Sequence, residues 1–399
     1  MLQDPHATRV LPLSSPPLLT CRDIGRQFGE HSAVSGLSFQ ATRGEVIGLL
    51  GPNGAGKTTS LRMLAGTLAA SQGELALDGE AFDARASQRQ LNRLKQRIGY
   101  LPEGAPLWPQ LTVRETLDCV AGLHGLSRKI RNYRLSELME RLDIAPFANH
   151  LCAVLSKGYR RRLALAMALI HDPDILLLDE PTDGLDPLQK DSVRAFIREL
   201  GRERLIIVST HLLEEVPRIC DRVLVMASGR LGFDDTPAAL AAMSLDEGIL
   251  GGNRSGYGAG FGATSSLPVW RLTLGRALND RELASASRLS GVAAITPLTQ
   301  MSASSAGALA NAQADVQDCT LRLTGRAGQD PRPALARWCG QMGIMFEECV
   351  RERGDIETAF RLLVMRMASE QGQRQGQNHG QLRERAGHQV RDHGQGGSP

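Results

Sequence analysis

The sequence has 399 residues, 42% hydrophobic and 22% charged, with a formal net charge of +3. That length admits two domains with a real core, and so small a charge gives no electrostatic footprint of a nucleic-acid binder, so no nucleic-acid partner is expected. There is no apolar run long enough to cross a membrane and no signal-like start between Met1 and Pro17, and the seven scattered cysteines lack paired spacing, so a cytoplasmic chain with reduced thiols and no structural metal is expected.

Residues 1–17 read as an N-terminal extension. From Leu18 to about Leu240, short apolar runs with strand character (Val46 to Leu50, Ile175 to Leu178, Leu205 to Ser209, Val223 to Met226) alternate with helical patterns. That alternation predicts an α/β domain, bounded at 18–245, with a mostly parallel sheet covered by helices. Within it, residues 88–159 carry helical periodicity and read as a helical subdomain. The Gly- and Ser-rich run Gly251 to Ser266 cannot bury a core, so 246–267 is expected to be a linker.

Beyond it, 268–368 reads as a small α+β accessory domain of ferredoxin-like type. Strands are expected over Val269 to Leu274, Val292 to Leu298, Cys319 to Leu323 and Ile344 to Val350, and helices over Arg281 to Leu289, Ala334 to Met342 and Ile356 to Met367. Ser302 to Ala314 reads as a loop. Residues 369–399 are almost without apolar side chains and are expected to be a disordered tail.

Gly51, Pro52, Asn53, Gly54, Ala55, Gly56, Lys57 and Thr58 spell the phosphate-binding loop G-x-x-x-x-G-K-[ST] between a predicted strand and a helical run opening at Thr59. Backbone N–H groups converge on phosphate oxygens there, Lys57 neutralises the β- and γ-phosphates, and the Thr58 hydroxyl suits Mg²⁺. Ile175 to Glu180 reads as a buried strand delivering two acids to the sheet edge where such folds bind ligands. Asp179 fits the Mg²⁺ role, and Glu180 fits the general base that takes a proton from the attacking water. His211, just after the strand Leu205 to Ser209, is placed to reach the γ-phosphate and that base.

Leu155-Ser156-Lys157-Gly158-Tyr159 resembles the signature motif of ABC ATPases, and with the preceding motifs it identifies residues 18 to 240 as similar to that P-loop NTPase family. The resemblance implies that Ser156 and Gly158 contact ATP held by a second ATPase domain, in a head-to-tail pair of identical or related chains. It implies the same for Asp186 in Gly184-Leu185-Asp186, and it places Phe28 where the family stacks an aromatic ring on adenine. Glu103 stands where most members have a glutamine that senses Mg²⁺ and the membrane partner; a carboxylate keeps the acceptor and loses the amide donor.

The Leu101-Pro102-Glu103 and Ser-Lys-Gly-Tyr variants are similar to exporter ATPases of the gliding-motility and multidrug-efflux subgroup. Gly354 to Phe360 is similar to the ending of that subgroup's accessory domain, although helix capping by Asp355 explains the same residues. The expected function is therefore ATP hydrolysis with Mg²⁺, powering export through a separate integral-membrane permease that holds the chain at the cytoplasmic face. A ribosome- or DNA-associated ABC ATPase and a regulatory NTP switch are the alternatives.

Overall fold

The computed structural model describes residues 16–245, 268–297, 319–326, 329–352 and 354–370. The expected extension before residue 16, the linker, the loop Ser302 to Ala314 and the tail beyond residue 370 lie outside the described residues. The described residues through Leu240, together with those from Phe360 on, form one compact unit; Ala241–Ala359 forms the other, so the division falls ahead of the expected end at 368.

In chain order the first unit contains strands β1 (Leu19–Phe28), β2 (His31–Ala41), β3 (Val46–Leu50), β4 (Gln72–Leu77), β5 (Glu80–Ala81), β6 (Ile98–Leu101), β7 (Ile175–Asp179), β8 (Leu205–Thr210), β9 (Arg222–Ala227) and β10 (Arg230–Asp235). Six of them form a sheet in the order β10-β9-β3-β8-β7-β6. Every residue of β3, β7 and β8 is buried, which explains why these strands read as continuous apolar runs instead of alternating ones. All pairings among β6, β7, β8, β3 and β9 are parallel, and β10 is antiparallel to β9.

Register decides where the chemistry falls. Leu50 pairs with Thr210, and Asp179 pairs with Ser209, so the chain leaves β3, β7 and β8 at one common edge. The phosphate loop, the Asp179–Glu180 pair and His211 are thereby gathered together, as parallel strands require of residues at their C-terminal ends.

Two features depart from the sequence reading. Ile98–Leu101, inside the stretch read as helical, is a strand of the central sheet beside β7; a four-residue strand is too short for its period to stand out from the helical pattern around it. The helical part comprises Gln88–Lys95, Val113–Leu123, opened by a Thr112–Glu115 capping box, and Arg128–Arg141, and it leads to helix Lys157–Leu169. A second, antiparallel sheet of order β2-β1-β4-β5 was not expected at all. Its β1 is interrupted by register shifts and by Asp23 at φ 52°, which break the two-residue alternation that marks a strand.

The second unit runs β11 (Val269–Leu274), helix Asp280–Ala286, β12 (Val292–Pro297), β13 (Cys319–Gly325), helix Arg332–Met342 and β14 (Phe346–Arg351). Its sheet order is β12-β13-β11-β14, with every pairing antiparallel, the ferredoxin-like arrangement of two split βαβ units. Trp270, Leu272, Leu274, Leu321, Leu323, Leu335 and Trp338 form its own core. A helix over 356–370 follows.

Candidate nucleotide site

Immediately after β3 the chain turns through the phosphate loop into helix Lys57–Leu64. Gly56 has φ 99°, and a Cβ there would lie 2.6 Å from the Ala33 carbonyl oxygen, so the loop admits no side chain at that point. Lys57 is 7% exposed and donates to the carbonyl oxygens of Gly51 (2.7 Å) and Pro52 (3.0 Å). Burial pushes its pKa down, while Glu180, Asp179 and Glu103 pull it back up. A cation held among acids in a half-dry loop is suited to a polyanion that brings its own metal.

A cavity of about 730 Å³ opens in front of the loop. Gly51 through Thr59 line it, with Glu103, Glu180 and His211, so most of the residues singled out from sequence share one wall. His211 Nδ1 lies 2.9 Å from Glu180 Oε1. Glu180 itself adopts φ 52°, a left-handed conformation rare for a residue with a side chain, and its N–H donates to Ser209 O (3.1 Å) and Ser209 Oγ (3.2 Å). The strand end thus turns abruptly and aims the carboxylate into the cavity it lines.

Asp179 is 1% exposed and lies beneath that wall. Its Oδ1 accepts the Ser209 hydroxyl, while its Oδ2 is buried with no hydrogen-bond partner. A carboxylate oxygen left bare in that way is costly, and a cation or its hydration shell is the partner its chemistry calls for. Among the described residues no group of three or more His, Cys, Asp or Glu could enclose a metal. Mg²⁺ is commonly held by one or two protein oxygens plus phosphates and water, and Thr58, Asp179 and Glu103 carry oxygens of that chemistry.

The remaining candidates lie apart from this cavity. Ser156 is exposed and caps helix Lys157–Leu169, its hydroxyl accepting from Tyr159 N (3.4 Å). Gly158 is buried against Gln189 and Leu185. Asp186 caps helix Pro187–Leu200 through Gln189 N (2.9 Å), and Lys157 Nζ meets Asp183 at 2.8 Å, which ties the signature to the loop that follows Glu180. Phe28 is 45% exposed with the Arg26 guanidinium 4.8 Å from its ring centre, and it does not line the cavity.

Several residues were missed from sequence. Arg161, 6% exposed, donates to the carbonyl oxygens of Pro102, Asp179 and Glu180, bracing both the acidic pair and the Glu103 segment from behind. Its only signal was an arginine run, Arg160 to Arg162, on a helix with an otherwise apolar face. Thr210 and Leu213 flank His211 on the wall; His31 also lines it, as does Phe360, the last residue of the Gly354 to Phe360 stretch, which has no part in the nucleotide site expected from sequence.

Residues 34–183 match the family described as ABC transporter. The chain is 41% identical over 220 residues to the ABC transporter ATP-binding protein NatA of Bacillus subtilis, covering 54% of this chain and 87% of that protein. It is 35% identical over 327 residues to the Nod factor export ATP-binding protein I of Ralstonia nicotianae, covering 80% of this chain and 97% of that protein. In fold it resembles the dimeric post-hydrolysis structure of the ATP-binding cassette MJ0796 bound to ADP and Pi (TM-score 0.51, 23% identity, 55% of this chain and 98% of that one). With the phosphate loop, the acidic strand end and the histidine at one sheet edge, and with relatives matched over most of their length, this chain belongs to the ABC transporter family as one of its ATP-binding, ATP-hydrolysing subunits.

Proposed function

We propose that the chain powers export of a cargo through a separate membrane permease, working as a pair of ATPase domains on the cytoplasmic face. The observation that carries this reading is the similarity over 97% of a relative named for Nod factor export, which extends well past the cassette. Among the described residues no helix is long and apolar enough to cross a membrane. Trp108, Leu151 and Val154 are exposed apolar side chains on two segments joined by hydrogen bonds from Cys152 N to Leu111 O and from Ala153 N to Pro109 O. Exposed apolar side chains on segments joined in that way are suited to an apolar partner.

In the hydrolysis step Glu180 takes a proton from water as the water oxygen bonds to the γ-phosphorus and the bridge to ADP breaks. With Glu180 ionised, His211 Nδ1 is the donor in their hydrogen bond, which holds the carboxylate in place and leaves Nε2 for the phosphate side. Lys57 and the loop N–H groups bind the triphosphate; Mg²⁺, when bound through Thr58, Asp179 and Glu103, spreads the charge that builds on its oxygens. Phe28 offers its exposed ring to adenine, and Ser156, Gly158 and Asp186 of each chain complete the ATP site of the other.

Isolation of the tagged chain from its native membranes tests the transport reading. A stoichiometric multispanning partner is expected; recovery with ribosomes or as a free soluble protein contradicts it.

A further inference from the structure

A nucleoside triphosphate presents two chemistries to a site, an anionic chain and a carbon-rich nucleoside. The loop, Lys57, Glu103, Glu180 and His211 answer the first. The apolar side chains that line the cavity outside the loop are Ala33, Leu213 and Phe360, of which Phe360 alone carries an aromatic ring. It stands on helix 356–370, far along the chain from the phosphate loop, yet in the same compact unit as that loop.

The helix is held so that this ring has a defined place. Asp355 caps its start, Oδ2 accepting from Thr358 N (2.8 Å) and Thr358 Oγ1 (2.6 Å). Phe360, Leu363 and Met367 recur at helical spacing on one face. Leu363 is 6% exposed, and Met367 Sδ fills the space a Cβ on Gly232 would need. Those two contacts are ordinary packing. Phe360 differs, since it is only half-buried and turns toward the cavity it lines.

We propose that Phe360 is a nucleotide-binding residue whose ring packs against the ribose and base of bound ATP, making the C-terminal helix part of the ATP site. The proposal rests on reading the cavity as that site. Purine–aromatic contact favours the nucleoside and is indifferent to the phosphates, which separates this role from mere support of the loop.

The test uses the full chain carrying Glu180→Gln, so that ligand is not consumed, and titrates Mg-ATP and inorganic tripolyphosphate by calorimetry. Phe360→Ala is expected to weaken ATP binding by about fivefold or more while leaving tripolyphosphate unchanged. Phe360→Tyr should restore it, and Phe360→Leu, which keeps bulk in the helix face, should show the same ATP-only loss to a smaller degree. ATP affinity within about twofold of the parent or tighter, or an equal loss for both ligands, overturns the proposal. If the parent protein binds neither ligand, the ATP-site reading itself falls, an outcome distinct from a failure of Phe360 alone.

Discussion

His211 and Glu180 meet at 2.9 Å although they leave different strands, because β7 and β8 are in register at Asp179 and Ser209. In the proposed hydrolysis step the pair acts as one device, a base and the group that orients it. His211→Ala should lower kcat on the order of 10²-fold and leave ATP affinity within a few fold, since the triphosphate contacts stay in place. Steady-state turnover together with equilibrium binding checks this; a change confined to KM would remove His211 from the chemical step.

Ser156 and Asp186 lie outside the cavity that holds their own chain's phosphate loop, as residues of a shared site must. A protein with Ser156→Arg keeps a working loop, and one with Lys57→Ala keeps a working signature. Mixed, they should form ATP-dependent dimers with one intact nucleotide sandwich, more readily than either alone. Sedimentation of the mixture and of each component with Mg-ATP gives the answer, and normal dimers from each variant alone would end the shared-site model.

Arg161 is a buried cation whose guanidinium binds carbonyl oxygens from two separate segments. Burial lowers its pKa, opposed by Asp183, Asp179, Glu180 and Glu103. Arg161→Ala leaves these carbonyls bare and should cost about 2–4 kcal/mol of stability. Denaturant unfolding measures this. Arg161→Lys should recover little of it, because one ammonium lacks the planar fork.

His171 stacks on His124 with ring centres 3.7 Å apart, and its Nε2 lies 3.2 Å from Ile98 O. Burial, reinforced by His124, lowers its pKa from 6.5 to about 4. In the unfolded chain the imidazole protonates near pH 6.5, whereas in the folded chain it stays neutral until about pH 4. The unfolded state therefore binds more protons between these values, and stability falls as pH falls through that window, by about 3 kcal/mol in all. His171→Phe keeps a stacked ring and cannot protonate, so its unfolding free energy should depend less on pH between 7 and 4.5; an unchanged slope would assign the acid sensitivity elsewhere.

What could be read from sequence follows from how locally each feature is encoded. The phosphate loop and the strand ending in Asp179–Glu180 are contiguous stretches whose residue types suffice for their geometry. The alternation in Val269 to Leu274 and the periodicity of Ala334 to Met342, found as a strand and a helix, likewise announced the ferredoxin-like unit. Arg161 and Phe360 act on residues brought close only by folding, so a single arginine in a basic run and a phenylalanine on an amphipathic helix look ordinary. The β1 strand escaped for a different reason, since its bulges scramble the alternation that a sheet normally writes into sequence.

Glu180→Gln tests the central claim most directly, because the amide keeps the shape of the site and loses only the base. Mixed with Mg-ATP, the variant should sediment as a dimer that retains unhydrolysed ATP, with turnover about 10²-fold or more below the parent protein. Turnover close to that of the parent, or no ATP-dependent dimer, would contradict the account of a Glu180-driven ATPase whose sites are shared between two chains.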